Sequence, residues 1–186
     1  MYKRQVLNSA TGAGTVFAPD NPGPTGGMAL RSVLEQQGVH VDTTSTVADS
    51  TAAPGTLLVD DTAATISAAS WTRLLAGRTR VVVLAPDRTA LDALLPEVQA
   101  AGTPRGSTVQ ASCDLPLAQR AGTMNLKGVE LSLRTSSATA CFTTDSGAAQ
   151  LVSGTHDGVQ VLHPAGPDAA LGDATRRPPP ARRCPS

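Results

Sequence analysis

The strongest structural signal lies in residues 56–87, TLLVDDTAATISAASWTRLLAGRTRVVVLAPD. Two short apolar runs, 56–59 and 80–84, stand at either end of this stretch. Continuous apolar runs of this length are typical of strands that are buried on both faces of a sheet. Between them, Trp71 and Leu74 recur at the spacing of one helix face. The stretch therefore predicts a strand, a helix and a second strand.

The same alternation continues on both sides of this unit. A helix is predicted to begin at Pro24 and to end at Gly38, with a short strand over 39–43 after it. Ser67 is predicted to be the N-cap of the central helix, and Thr89 the N-cap of the next one. Helices that alternate with buried strands favour a parallel sheet with right-handed crossovers and helices on both faces.

Beyond Gly102 the pattern becomes rich in strands. Apolar and polar residues alternate over 129–134, and further strands are predicted over 138–142, 150–152 and 159–162. Short turns join these segments, which favours antiparallel pairing. We therefore predict an α/β fold with a three-layer arrangement, in which the N-terminal half of the sheet is parallel and the C-terminal extension is antiparallel and β-rich.

The two ends of the chain differ in composition from its middle. The opening contains Tyr2, the single Tyr of the chain, and we predict that residues 1–16 are a non-native or extended segment. Residues 6–23 are expected to form an extended approach to the first helix. The domain is predicted to span 17–165. Residues 166–186 are basic and Pro-rich, so we expect a disordered tail, for which an out-of-frame translation is one explanation.

The charge distribution argues against a nucleic-acid partner. The formal net charge is zero, but residues 6–175 hold nine of the basic residues and all fifteen acidic ones, which leaves this part of the chain at −6. An acidic surface does not attract phosphate backbones. No stretch approaches the ~20 apolar residues that a membrane helix needs. Aromatic residues are only 2% of the chain, so the core must rest on Leu, Val and Ala.

No motif of cofactor or metal chemistry is found, and we predict neither a cofactor nor a metal site. Gly12 and Gly14 lack the third glycine and the strand-to-helix context of a dinucleotide-binding loop. The spacing of His40, His156 and His163 does not match a metal site. His40 alternates with two apolar neighbours, so its expected place is the solvent face of a strand.

Three carboxylates stand where parallel strands are predicted to end. Asp60 and Asp61 follow the first buried run, and Asp87 follows the second. Open α/β sheets usually bind ligands at this edge, so these residues are candidates for a small-ligand site. Carboxylates at such positions also cap helices or remain solvated, and this alternative stays open.

Cys113 is the one plausible nucleophile, and three interpretations of it are open. A catalytic thiol would need a nearby base, and the sequence does not show one. A disulfide with Cys141 would close a loop of 28 residues and would be worth about 3.6 kcal/mol in the chain-entropy treatment. The third interpretation is a pair of inert buried thiols.

Several motifs, taken in order, resemble the bacterial family called domain of unknown function 4350. They are PDNPGP at 19–24, TLLV at 56–59, VVVLAP at 81–86, CDLP at 113–116 and ACF at 140–142. The resemblance covers roughly residues 17–162. It implies a fold akin to class I glutamine-amidotransferase-like domains and no established activity. It also implies an extracytoplasmic position at the cell membrane, between flanking membrane helices.

The chain differs from that family pattern at both ends. The preceding membrane helix and the Asn/Glu-rich helical segment after the last strand are not found, as expected of a truncated chain. An extracytoplasmic position suits a disulfide between Cys113 and Cys141, because oxidised pairs persist outside the cytoplasm.

The leading hypothesis is a non-catalytic sensing or scaffolding domain of a membrane-anchored protein, with an unknown protein partner in the membrane or envelope. The alternatives are a cysteine hydrolase or amidotransferase-like enzyme that uses Cys113, and a small-ligand binding module.

Overall fold

The computed structural model describes residues 3–8, 16–50, 55–104, 108–126 and 128–164, and for residues 3–8 the backbone and its pairing alone. The strands are β1 (Lys3–Asn8), β2 (His40–Thr44), β3 (Thr56–Asp60), β4 (Arg80–Leu84), β5 (Val98–Gly102), β6 (Thr108–Gln110), β7 (Thr123–Asn125), β8 (Glu130–Leu133), β9 (Thr139–Thr143), β10 (Ala149–His156) and β11 (Val159–Pro164). The helices are α1 (Met28–Gln36), α2 (Val47–Ser50), α3 (Ala68–Leu75), α4 (Arg88–Leu94) and α5 (Pro116–Ala121).

One mixed sheet of nine strands organises the described part of the chain. Eight of its strands follow the order β2-β1-β3-β4-β11-β10-β8-β5, and β9 pairs with β10. The neighbours from β2 to β11 are parallel, whereas β11, β10, β8 and β5 pair antiparallel. β6 and β7 form a separate two-stranded sheet. The predicted fold class, with a parallel first half and an antiparallel extension, is confirmed.

The two faces of the parallel strands bury different sets of residues. Leu57, Val59, Val81 and Val83 belong to the main core, where the buried side chains of α3 and α4 pack. Leu58, which points to the opposite face, lies with Leu30 and Leu34 of α1 around a small apolar cavity. Helices therefore lie on both sides of the sheet, as the runs of apolar residues predict.

β1 is a strand that the sequence did not predict. Residues 6–23 are expected to be an extended approach to the first helix, but Lys3–Asn8 pairs in parallel with both β2 and β3. The local pattern is weak because only Val6 and Leu7 are apolar, and the pairing depends on neighbours that are distant in sequence. That residues 1–16 are a non-native or extended segment stays a prediction. The predicted tail lies outside the described residues.

Two helix starts also differ from prediction. α1 begins at Met28 rather than at Pro24, because the loop before it bonds back on itself: Gly26 N donates to the Gly23 carbonyl, and Gly27 N to that of Ala18. In α4 the N-cap is Asp87 and not Thr89, since the Asp87 side chain accepts a hydrogen bond of 2.8 Å from Ala90 N. A carboxylate two residues earlier takes the capping role.

Candidate functional site

The disulfide between Cys113 and Cys141 is the most distinctive chemical feature of the described chain. The two Cα atoms are 5.2 Å apart, within the usual range for a disulfide. Cys113 precedes α5 and is partly buried, while Cys141 lies in β9 and is fully buried. Of the three interpretations that the sequence left open, the structure contains the disulfide. The sulfur of Cys113 is therefore not available as a thiol nucleophile in this form of the protein.

The disulfide joins the segment β6–α5–β7 to the main sheet. Next to it, the Ser112 hydroxyl accepts a hydrogen bond from Thr143 N at 3.0 Å and contacts the Thr143 hydroxyl at 3.0 Å. A second apolar core lies beneath this segment and contains the buried residues Ala118, Cys141, Phe142, Leu151 and Leu162. The disulfide, the hydrogen bond between Ser112 and Thr143 and the second apolar core therefore all hold the β6–α5–β7 segment against the main sheet.

The three predicted carboxylates do lie at the carboxyl ends of β3 and β4, and each one accepts hydrogen bonds from nearby backbone. Asp61 Oδ1 accepts from Thr65 N at 2.8 Å and from Ile66 N at 3.3 Å. Asp60 Oδ1 accepts from a backbone N–H two residues later at 3.2 Å, and Asp87 caps α4. Loop closure and helix capping are the roles that these contacts support directly. Ligand binding at this edge stays a prediction.

Asp61 has a perturbed carboxyl group. Its burial raises its pKa above the ordinary value, the backbone hydrogen bonds from Thr65 and Ile66 act in the opposite direction, and the negative charge of Asp87 raises it further. Asp61 Oδ2 is buried and has no hydrogen-bond partner among the described residues. This carboxyl group therefore takes up a proton more readily than a solvated aspartate does.

A strained backbone position that the sequence did not reveal lies between β4 and α4. Ala85 has φ 48°, a left-handed conformation that is unusual for a residue with a side chain. Sharp strand-to-helix turns of this kind present the nucleophile in α/β-hydrolases. Here the position carries a methyl group, so the turn presents no reactive atom. From sequence, Ala85-Pro86 indicates only the end of a strand.

The three histidines lie apart from one another in the fold. His40 is exposed, as predicted, and its Nε2 lies 2.9 Å from Asp42 Oδ1. His156 ends β10, and its Nε2 lies 3.6 Å from Asp157 Oδ2. His163 is completely buried in β11, and burial lowers its pKa to about 3. Within the described ranges, no three or more His, Cys, Asp or Glu side chains come together as a metal site would require.

A polar cleft in the antiparallel extension is the second site that the sequence did not predict. It has a volume of about 740 Å³ and lies between β5, β8 and the turn that joins β9 to β10. Glu130, Thr144 and Asp145 are among the residues that line it. The cleft brings together residues from three separate parts of the chain, and no local motif marks them.

The geometry defines the class of the protein: an α/β domain with a parallel sheet, an antiparallel extension and a disulfide that joins a peripheral segment to the core. Residues 19–173 match the family described as Domain of unknown function (DUF4350), and the chain belongs to that family. The resemblance inferred from the ordered motifs is confirmed. No curated protein matches the chain.

Two solved structures share the fold. The exo-beta-1,4-mannosidase Op5Man5 from Opitutaceae bacterium strain TAV5 is 12% identical to this chain, with a TM-score of 0.51. The similarity covers 91% of this chain and 32% of the mannosidase, so the chain spans about a third of that enzyme. The cytoplasmic protein STM1381 from Salmonella typhimurium LT2 is 13% identical with a TM-score of 0.56, over 88% of this chain and 87% of that one. At these identities the similarity shows the fold alone.

Proposed function

We propose that this chain is a non-catalytic, extracytoplasmic domain of a membrane-anchored bacterial protein, with a sensing or scaffolding role toward a protein partner in the membrane or envelope. The observation that carries the proposal is the Cys113–Cys141 disulfide. The amidotransferase-like architecture and the membrane anchor are part of the proposal and come from the family resemblance. Among the described residues, no helix has the length and apolar character to cross a membrane.

The disulfide supports an oxidising compartment. Structural disulfides persist in the periplasm and outside the cell, whereas cytoplasmic thiols are kept reduced. Cys141 has no exposed surface, and the bond closes a loop of 28 residues around the second core. A cross-link in this position stabilises the fold by restricting the unfolded chain.

The same bond weighs against a cysteine hydrolase or amidotransferase-like enzyme. Such an enzyme needs a thiolate with a base within hydrogen-bond reach. Cys113 is bonded to Cys141, and the strained turn after β4 carries Ala85. A non-catalytic role is therefore the function that the geometry supports best.

One observation favours small-ligand binding at the carboxyl edge as a second candidate. The unpartnered, buried Oδ2 of Asp61 lies at the edge where open α/β sheets bind ligands. Thermal unfolding of the purified protein with nucleotides and with divalent cations tests it. A saturable rise in Tm that is lost in Asp61→Asn would support binding there. Unchanged Tm across the panel would exclude it for those ligands.

Thiol trapping in the native bacterium tests the leading proposal. Cells that express the full-length gene are quenched in acid, free thiols are blocked with one alkylating reagent, and disulfides are then reduced and labelled with a second. Peptide masses report which label Cys113 and Cys141 carry. We expect both to carry the second label. A Cys113→Ser variant is the matched control, because it should convert Cys141 to the first label.

Free thiols at both positions in wild-type cells would overturn the extracytoplasmic assignment. A periplasmic reporter fused after residue 164 gives an independent readout, since it should be active only if this part of the chain is exported. Oxidised cysteines together with an inactive reporter would also contradict the proposal.

A further inference from the structure

Asp61 and Asp87 form a pair of carboxylates at the carboxyl edge of the parallel strands. β3 and β4 are adjacent and parallel, and Asp60 is in register with Leu84. The next residues, Asp61 and Ala85, therefore leave the sheet side by side. Asp87 follows two residues later as the N-cap of α4. The negative charge of Asp87 raises the pKa of Asp61, which places the two carboxyl groups near each other.

Asp61 carries the unmet bonding demand of this edge. The residue is 1% exposed, and its Oδ1 accepts backbone hydrogen bonds from Thr65 and Ile66. Its Oδ2 is buried and has no hydrogen-bond partner among the described residues. A buried carboxylate is costly unless a positive charge or further donors compensate it. One oxygen of Asp61 is therefore left to bind a donor or a cation.

No basic side chain in the described part of the chain balances the two charges. Arg88, which follows Asp87 directly, donates instead to Asp92 at 2.7 Å. The loop over 61–67 contains no Lys, Arg or His. The same is true of residues 9–15, which follow β1, and of residues 165–175, which follow β11. The pair therefore presents two negative charges that need a partner of opposite sign.

The chemistry of the pair selects a hard divalent cation. Such an ion neutralises both charges, whereas a monovalent cation leaves one. Mg²⁺ prefers oxygen ligands, keeps several of its waters and is usually bound by one or two carboxylates. No three ligand side chains meet in the described ranges, which suits an ion that keeps its waters. Asp87 is half-exposed and Asp61 is buried, so the pair extends from solvent to the interior.

We propose that Asp61 Oδ2 and the Asp87 carboxylate bind one hydrated Mg²⁺ ion, which joins the β3–α3 and β4–α4 loops at the carboxyl edge. The hydrogen bonds that Asp61 Oδ1 and Asp87 Oδ1 accept from the backbone hold the two carboxylates in place. The proposal rests on small-ligand binding at this edge, the second candidate above, and names its ligand. The leading, non-catalytic proposal does not depend on it.

Thermal unfolding of the purified, oxidised full chain in MgCl₂ tests the proposal. The protein is first treated with EDTA and dialysed, and NaCl keeps the ionic strength constant across the titration. We expect a saturable rise in Tm, because an ion that binds only the folded state stabilises it. Asp61→Asn should weaken the apparent affinity at least about tenfold, since loss of even an outer-shell partner of a metal typically costs about 10–100-fold.

Two further variants complete the test. Asp87→Asn should also weaken the affinity, and α4 stays capped because Asn is a good N-cap residue. Asp157→Asn is the matched control, because it removes one exposed negative charge in the turn between β10 and β11 and should respond to MgCl₂ as the wild type does.

Three results would overturn the proposal. They are an unchanged Tm of the wild type in MgCl₂, an equal rise in the wild type and Asp61→Asn, and equal weakening by Asp157→Asn and Asp61→Asn. If Asp61→Asn does not fold, as judged by circular dichroism, Asp87→Asn decides, and an unchanged affinity there would refute the site. A nucleotide that raises Tm in EDTA, with no effect of MgCl₂, would refute the cation and leave small-ligand binding at this edge standing.

Discussion

His163 should make the folded protein sensitive to mild acid. The side chain is fully buried, and neither ring nitrogen has a hydrogen-bond partner among the described residues. It lies in β11 directly opposite the buried Val152 of β10. Burial without a partner favours the neutral ring, and this is why its pKa falls from 6.5 to about 3.

The sign of the effect follows from the two pKa values. Below pH 6.5 the unfolded chain protonates this histidine, whereas the folded protein keeps it neutral until about pH 3. The unfolded state therefore binds the extra proton, and the free energy of unfolding decreases as the pH falls through this interval. The contribution of His163 to this loss is about 1 kcal/mol between pH 6 and pH 5, and it levels off below the folded pKa.

Urea unfolding of wild type and His163→Leu at half-unit steps from pH 7.5 to 4.5 measures this contribution. Carboxylates that titrate in both proteins cancel in the difference, so the wild type should lose about 1 kcal/mol more than the variant from pH 6 to pH 5. His40→Gln is the comparison variant, because His40 is exposed in the folded protein, and it should not flatten the pH dependence in the way that His163→Leu does. Parallel curves for wild type and His163→Leu would refute the reasoning.

Three further predictions concern stability and are measured by urea unfolding at pH 7. Replacing Cys113 and Cys141 together by Ser should lower the free energy of unfolding by about 3–4 kcal/mol, and reduction of the wild type should give the same loss; unchanged stability on reduction would show that the bond does not restrict the unfolded chain. Asp87→Ala should cost about 1 kcal/mol through the lost N-cap, whereas Thr89→Ala should be nearly neutral, and the reverse order would contradict the assigned cap. Gly26→Ala should destabilise the protein by more than about 2 kcal/mol, because its Cβ would lie 2.0 Å from a backbone oxygen; a neutral effect would mean that the loop can open.

The parallel half of the sheet could be predicted because its central strands carry their own signal. Leu57, Val59, Val81 and Val83 are buried in continuous apolar runs, and a run of this kind has few alternatives to a central strand. β1 lacks such a run. Its place in the sheet depends on pairing with β2 and β3, which are distant from it in sequence. Local pattern therefore identified strands that carry an apolar run or a clear alternation and missed β1; outside the parallel half it also missed β5, β6 and β7.

The candidate sites, too, could be predicted only where a local sequence pattern marks them. Asp61 is placed correctly at the end of β3 because it adjoins a predicted strand, but its backbone contacts could not be read from sequence. The cleft could not be predicted at all, since Thr103, Glu130 and Thr144 meet only through antiparallel pairing of β5, β8 and β10. For Cys113, the sequence left three interpretations open, and the spatial proximity of Cys141 separates them.

The disulfide and the polar cleft are neighbours in the chain. β9 carries Cys141, and Thr144, which donates to Glu130, follows immediately after β9. Thr143 is bonded to Ser112 on the disulfide-linked segment. Oxidation therefore restrains the end of β9 from which Thr144 extends. In the usual doubly wound sheet the carboxyl edge binds the ligand. Here backbone donors bond one oxygen of each carboxylate at that edge, and the second oxygen of Asp61 is buried without a partner among the described residues, so the carboxylate that backbone contacts leave incompletely bonded lies at this edge and not in the antiparallel extension.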